Sequence, residues 1–203
     1  MPITLNHDDL PEKILFAGAV AIDTETLGLN PLRDRLCLAQ LSAGDGKVHL
    51  VQFRQAAYAA PRLKALLKDR SVLKIFHFAR FDMAALSYHL GVMPEPVYCT
   101  KIASKLVRTY TDRHGLKDLC KELLDIELSK QQQSSDWGAE DLTKEQKAYA
   151  AADVLHLHKL KEALDRMLVR EKRMDIAEAA FRFLPTRAKL DLLGWPDQDI
   201  FAH

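Results

Sequence analysis

The chain has 203 residues, 48% hydrophobic and 28% charged, a composition that excludes a largely disordered, collagen-like or low-complexity protein. Lys and Arg number 29 against 28 Asp and Glu, so the net charge of +1 gives no global electrostatic basis for coating long nucleic acid. Cys37, Cys99 and Cys120 are too widely spaced for a disulfide framework or a cysteine zinc site, and the longest apolar run, residues 14–22, is too short to cross a bilayer.

Asp8, Asp9 and Glu12 stand where a secretory leader would carry basic residues, so the expectation is a cytoplasmic protein with no membrane partner. Apolar and β-branched residues cluster at 20–22, 36–41 and 48–53 with turn residues between them, which predicts a meander of strands within 14–53. Gly44-Asp45-Gly46-Lys47 lacks the spacer and the hydroxyl residue of a phosphate loop and reads as a hairpin turn. From Pro61 the period becomes helical at Leu63, Leu66 and Leu67. A buried strand at 72–76, a helix at 81–90 and a short strand at 97–99 follow, and the remainder reads as helix broken by Gly115, Gly138 and a polar loop at 129–136. Antiparallel strands followed by alternating strand and helix predict an α/β fold, a mixed sheet flanked by helices with a largely helical C-terminal half. One domain over 1–203 is expected, its apolar helical tail from about 172 to 203 packing on the same chain or entering a subunit interface.

Asp23 and Glu25 lie two apart at the end of an apolar strand, so both carboxylates leave on one face, as a metal site requires. The same spacing in Asp125-Ile-Glu127 falls at a helix end and is assigned to surface charge. Tyr149 and Asp153 are four apart on a helical stretch and lie on one face, with three alanines between them. Asp82 follows a buried strand at the start of a helix, where the helix dipole alone would favour an acid. His156 and His158, two apart on a helix, do not face each other and read as surface or packing rather than a zinc pair.

In this order the motifs resemble the DEDD exonucleases of the ribonuclease H-like (DnaQ-like) fold, in the tyrosine-containing branch that includes ribonuclease D. Asp23 and Glu25 match the first motif, Asp82 in Ile75-Phe-His-Phe-Ala-Arg-Phe-Asp82 the second, and Tyr149 with Asp153 the third, behind Gln133-Ser-Ser-Asp-Trp137. Asp23-Thr-Glu-Thr-Leu-Gly-Leu29, Lys101-Ile-Ala-Ser-Lys105, Thr109-Tyr-Thr-Asp-Arg-His-Gly115 and Leu190-Asp-Leu-Leu-Gly-Trp195 are similar to the nano-RNase C group. The resemblance implies a 3′-5′ exoribonuclease that uses two divalent cations, Mg²⁺ or Mn²⁺, to release 5′-mononucleotides from very short RNA. Its expected substrates are above all diribonucleotides, in the last step of RNA degradation, and its expected assembly is a homo-octamer. The alternative it leaves is trimming of longer RNA 3′ ends, as in tRNA maturation, or of DNA. A domain kept only for binding is disfavoured because all five motif residues are present.

Four carboxylates formally balance two dications. In the implied roles Asp23 bridges both ions, Glu25 and Asp153 complete the ion on the nucleophile side, and Asp82 holds or supports the ion on the leaving side. Tyr149, with a reference pKa near 10, is expected to aim the attacking water by hydrogen bonding rather than to act as base. Leu29 is either a wedge between two bases or an ordinary core or loop leucine. His77 either contacts substrate or satisfies a strand edge. Lys101, Lys105, Arg108, Arg113 and Lys117, helped by His114 and opposed only by Asp112, form either a phosphate-binding surface or a solvated helix face. Lys130 and the segment 131–135, Gln133 included, are expected to cap a 5′ phosphate, either within one subunit or from a neighbour.

Overall fold

The computed structural model describes residues 2–54, 58–129, 131–132 and 134–202. Strands β1 (Ile3–His7), β2 (Ala19–Thr26), β3 (Leu36–Ser42) and β4 (Val48–Gln52) are followed by α1 (Pro61–Lys68), β5 (Leu73–Phe76), α2 (Ala79–Leu90) and β6 (Val97–Cys99). Five further helices complete the described chain: α3 (Thr100–Val107), α4 (Leu116–Leu124), α5 (Lys144–Leu155), α6 (Leu157–Arg170) and α7 (Met174–Leu192). The strands form one mixed sheet in the order β1-β4-β3-β2-β5-β6. β2, β3 and β4 are the expected antiparallel meander, and Gly44 and Gly46 both take φ near +80° to close its second hairpin. β5 and β6 then add parallel to β2.

Two boundaries differ from the sequence reading. Residues 14–17 stay outside the sheet, and β2 begins at Ala19, after Gly18 with φ +74°. β1 was not anticipated; it pairs in parallel with β4, Leu5 opposite Leu50, and covers that edge of the sheet.

Every residue of β3 is buried, which requires cover on both faces of the sheet. α5 packs over β2, β3 and β4, while α2 packs on β2, β3 and β5. The carboxyl end of β2 therefore lies between two helices, beside the point where β5 runs into α2, the position at which open α/β sheets bind their ligands. α7 packs on α2 and buries Ala177, Phe181, Leu184 and Ala188, with the Phe181 ring against Tyr98 of β6, and Asp191 near its end pairs with Arg80 of α2 and Arg187 of its own last turns. The helical part of the tail thus rests on its own chain, whereas Leu193, Trp195, Ile200 and Phe201 beyond it are exposed. Among the described residues no helix is long and apolar enough to cross a membrane.

Candidate active site

Three carboxylates converge at the end of β2: one oxygen each from Asp23, Glu25 and Asp153 lie within 4.8 Å of one another. Strand alternation sends Asp23 and Glu25 to the face covered by α5. That helix starts at a capping box in which Thr143 accepts from the Gln146 amide and the Gln146 side chain accepts from the Thr143 amide, so its register is set from its first turn. Buried Ala150 and Ala151 let the helix lie close to the sheet, and one helical turn carries both Tyr149 and Asp153 to the cleft.

Asp82 falls outside this 4.8 Å set but lies near enough for its charge to act on Asp23 and Glu25. It lies in the first turn of α2, almost fully buried, and accepts a 2.7 Å hydrogen bond from the hydroxyl of Thr24. Thr24 points to the opposite face of β2 from its two acidic neighbours, so Asp82 approaches the strand from the α2 side. A further residue, not singled out from sequence, completes the arrangement. Gln40 of β3 sits opposite Asp23 in the ladder and turns its Nε2 toward Asp23 Oδ2 at 3.2 Å and Glu25 Oε1 at 3.5 Å. The available signal was one amide in the otherwise apolar run Leu36-Cys-Leu-Ala-Gln-Leu41.

Crowding shapes the electrostatics. Burial, then the carboxylates of Asp82, Asp153 and Glu25, hold the Asp23 carboxyl well above the usual range. Burial followed by Asp153 and Asp82 pushes Glu25 up to about 9. Asp82 rises to about 7 by burial in spite of the Thr24 hydrogen bond, and burial raises Asp153 to about 7. The Tyr149 phenol is raised by burial and then by Asp153, Glu25 and Asp23, so it keeps its proton at neutral pH. Clustered carboxylate oxygens of this kind repel one another when alone and are the donor set hard divalent cations prefer.

The trio opens into a cleft of ≈ 620 Å³. Leu29 lines it while 87% exposed, which removes the core-leucine reading. Asp34 holds the loop that carries it, accepting from the Asn30 amide, and crowds Gly28 so closely that any side chain there would strike its carboxylate. His77 also lines the cleft. Thr100 spends its hydroxyl proton on the Phe76 carbonyl, so the 2.9 Å contact between Thr100 and His77 makes Nδ1 the donor and leaves Nε2 an acceptor. Burial, then Lys101, lowers His77 to about 3 and keeps it neutral.

The expected phosphate surface is redistributed. Lys117 reaches the cleft, but Arg113 is exposed outside it and His114 is engaged with Ser104 at 2.9 Å. Arg108 is a correction: its guanidinium is fully buried, paired with Glu122 and bonded to Ser104 and the Arg113 carbonyl, and so ties α3 to α4 instead of meeting solvent. Lys101 lies over the Phe78 ring, 4.2 Å from its centroid. Lys130 and Gln133 lie outside the described residues; from the same loop Ser129, Ser134 and Ser135 line the cleft. Trp137 closes the wall, buried, with its ring 6.0 Å from that of Tyr149. His158 packs against the Gly44 turn, in keeping with the packing reading.

A family model described as 3′-5′ exonuclease matches residues 6–169. The chain is 36% identical over 156 residues to ribonuclease D of Gluconacetobacter diazotrophicus, covering 77% of this chain and 39% of that protein. It thus spans about two fifths of the length of that curated relative. Among solved structures, Brucella melitensis NrnC with bound Mg²⁺ aligns over 100% of both chains at 58% identity and a TM-score of 0.96. NrnC of the same organism bound to pGG aligns over 100% of this chain and 99% of that one at 59% identity and a TM-score of 0.97. The mixed sheet flanked by helices is therefore the ribonuclease H-like exonuclease fold expected from the sequence.

Proposed function

We propose that this chain, which belongs to the 3′-5′ exonuclease family, releases 5′-mononucleotides from the 3′ end of very short RNA, above all diribonucleotides, in the last step of RNA degradation. The observation that carries the reading is the convergence of Asp23, Glu25 and Asp153 within 4.8 Å, in a cleft that Tyr149 and Leu29 also line. The relative bound to pGG supports a substrate of that size, and the cleft volume suits a pocket that encloses a small ligand.

Two divalent cations, Mg²⁺ or Mn²⁺, would be held by Asp23, Glu25 and Asp153, with Asp82 supporting them from the α2 side; the Mg²⁺-bound relative supports this assignment. When bound they supply a nucleophile at neutral pH and neutralise charge on the attacking and leaving oxygens. The chain's own groups do the rest. Tyr149, protonated, orients the attacking water through its hydroxyl. Leu29 offers an apolar edge to the bases, neutral His77 offers Nε2 as an acceptor for a sugar hydroxyl, and Lys117 meets a phosphate. Arg113 and His114 keep their proposed part in phosphate binding, and Lys130 and Gln133 theirs as a cap on a 5′ phosphate, within one subunit or from a neighbour. Residues 1–203 act as one exonuclease domain in a cytoplasmic homo-octamer.

The test is a time course on a 5′-labelled dinucleotide and a 5′-labelled twenty-residue RNA, with Mg²⁺, with EDTA, and with Asp153→Asn. Rapid Mg²⁺-dependent cleavage of the dinucleotide is expected, with slow attack on the long RNA and a loss of at least ~10²-fold in the variant. Trimming of the long RNA alone would move the reading to 3′-end maturation, and an unchanged rate in Asp153→Asn would remove the site assignment.

A further inference from the structure

Gln40 is a fully buried polar side chain in the middle of β3, between Ala39 and Leu41. The β2–β3 register places it directly opposite Asp23, with Leu38 opposite Glu25, so its amide extends along the face from which both carboxylates project. Its Nε2 carries two hydrogens and has two acceptors, Asp23 Oδ2 at 3.2 Å and Glu25 Oε1 at 3.5 Å. Its Oε1, also buried, has no hydrogen-bond partner among the described residues. Burying an amide with an unpaired carbonyl costs stability, and an apolar residue of equal size would fill the same space without that cost. The part of Gln40 that the structure puts to use is therefore the NH₂ group, and it is used on the two acids.

We propose that Gln40 is a positioning residue for the cation-binding carboxylates: bridging Asp23 and Glu25, it fixes their separation and leaves their remaining oxygens turned toward Asp153. The inference rests on reading those three acids as metal ligands. Without the amide, the two carboxylates lose their common donor and are free to rotate apart, so cation uptake must first bring them back together. Partners that orient metal ligands in this way typically change affinity by roughly 10- to 100-fold when removed.

The experiment is calorimetric titration of Mn²⁺ alone into the metal-free full-length protein, for the wild type, Gln40→Met, Gln40→Asn and Glu25→Gln. Methionine keeps the volume without the amide; asparagine keeps an amide one methylene too short to reach both acids, and decides the question should the methionine variant not fold. Both Gln40 variants are expected to weaken Mn²⁺ binding roughly 10- to 100-fold. The metal-free melting temperature of Gln40→Met should not fall with it, and saturating Mn²⁺ should restore dinucleotide cleavage in both variants. A dissociation constant equal to that of the wild type in either folded variant overturns the proposal while leaving the ligand assignment standing. If the wild type takes up no Mn²⁺, or Glu25→Gln binds as tightly as the wild type, the ligand assignment itself fails, and the role of Gln40 fails with it.

Discussion

Asp82 and Asp153 are both raised to about 7, and both act on Asp23 and Glu25, although Asp82 alone accepts a hydrogen bond from Thr24. Together with Asp23 and Glu25 they link protonation to folding with a definite sign. Each has a folded pKa above its unfolded value near 4, so the folded state binds more protons over the interval between the two. The stability they contribute is complete below pH 4 and is lost as pH rises through 7 and on to 9. Metal-free protein should therefore melt at a lower temperature at pH 8.5 than at pH 5.5, and Mg²⁺ should restore most of the difference at the higher pH. One pKa unit is worth ~1.4 kcal/mol, or roughly 3–6 °C for a chain of this length, so differential scanning calorimetry at the two pH values resolves the effect. Equal melting temperatures of the metal-free protein at pH 5.5 and pH 8.5 would argue against buried, mutually repelling carboxylates in the cluster. Leu29 makes a contrasting case. Exposed as it is, Leu29→Ala should leave the melting temperature unchanged and raise KM for the dinucleotide roughly 10-fold, about the value of one apolar contact in a binding pocket; an unchanged KM would remove its role against the bases.

At the level of elements, α5 is the part on which the site depends most, because one helical turn supplies both Tyr149 and Asp153. Thr143→Ala breaks the capping box and should cost about 1 kcal/mol, seen as a fall of roughly 2–4 °C in Tm, with cleavage at 25 °C retained. A loss of activity without a loss of stability would mean that Thr143 does more than start the helix. The helical spacing of Tyr149 and Asp153 and the strand spacing of Asp23 and Glu25 were legible in the sequence because each depends only on the geometry of its own element. So was the meander, from its three clusters of apolar and β-branched residues. β1 was not: Thr4 and Asn6 dilute its five residues, and its parallel partner is more than forty positions away. The approach of Asp82 to Thr24 depends on how the second helix packs on β2, a tertiary fact with no local signature. For the same reason Arg108 read as one cation of a basic stretch, when its pairing with Glu122 and Ser104 takes it into the interior.

On the scale of the whole molecule, the near-zero charge and the distribution of apolar surface are the informative features. Leu193, Trp195, Ile200 and Phe201 follow α7 as an exposed apolar group, and the Phe201 ring lies 6.0 Å from that of Phe183. A soluble chain that keeps such a cluster at its surface commonly covers it with another protein. Light scattering should return eight times 23.0 kDa, about 184 kDa, and Trp195→Glu should shift the mass downward. A value near 23 kDa for the unaltered chain would sink the octamer.

The bracket behind Leu29 has one more consequence. Gly28 is pressed against Asp34, and Leu29 beside it touches little of its own chain. Two adjacent codons thus fall under separate constraints: the Asp34 carboxylate polices the first in every cell that must fold the protein, whereas only the substrate polices the second. Where selection for turnover relaxes, position 29 is free to drift while position 28 stays glycine, so a lineage that has stopped using the cleft would record the fact at 29 long before its fold showed any sign of it.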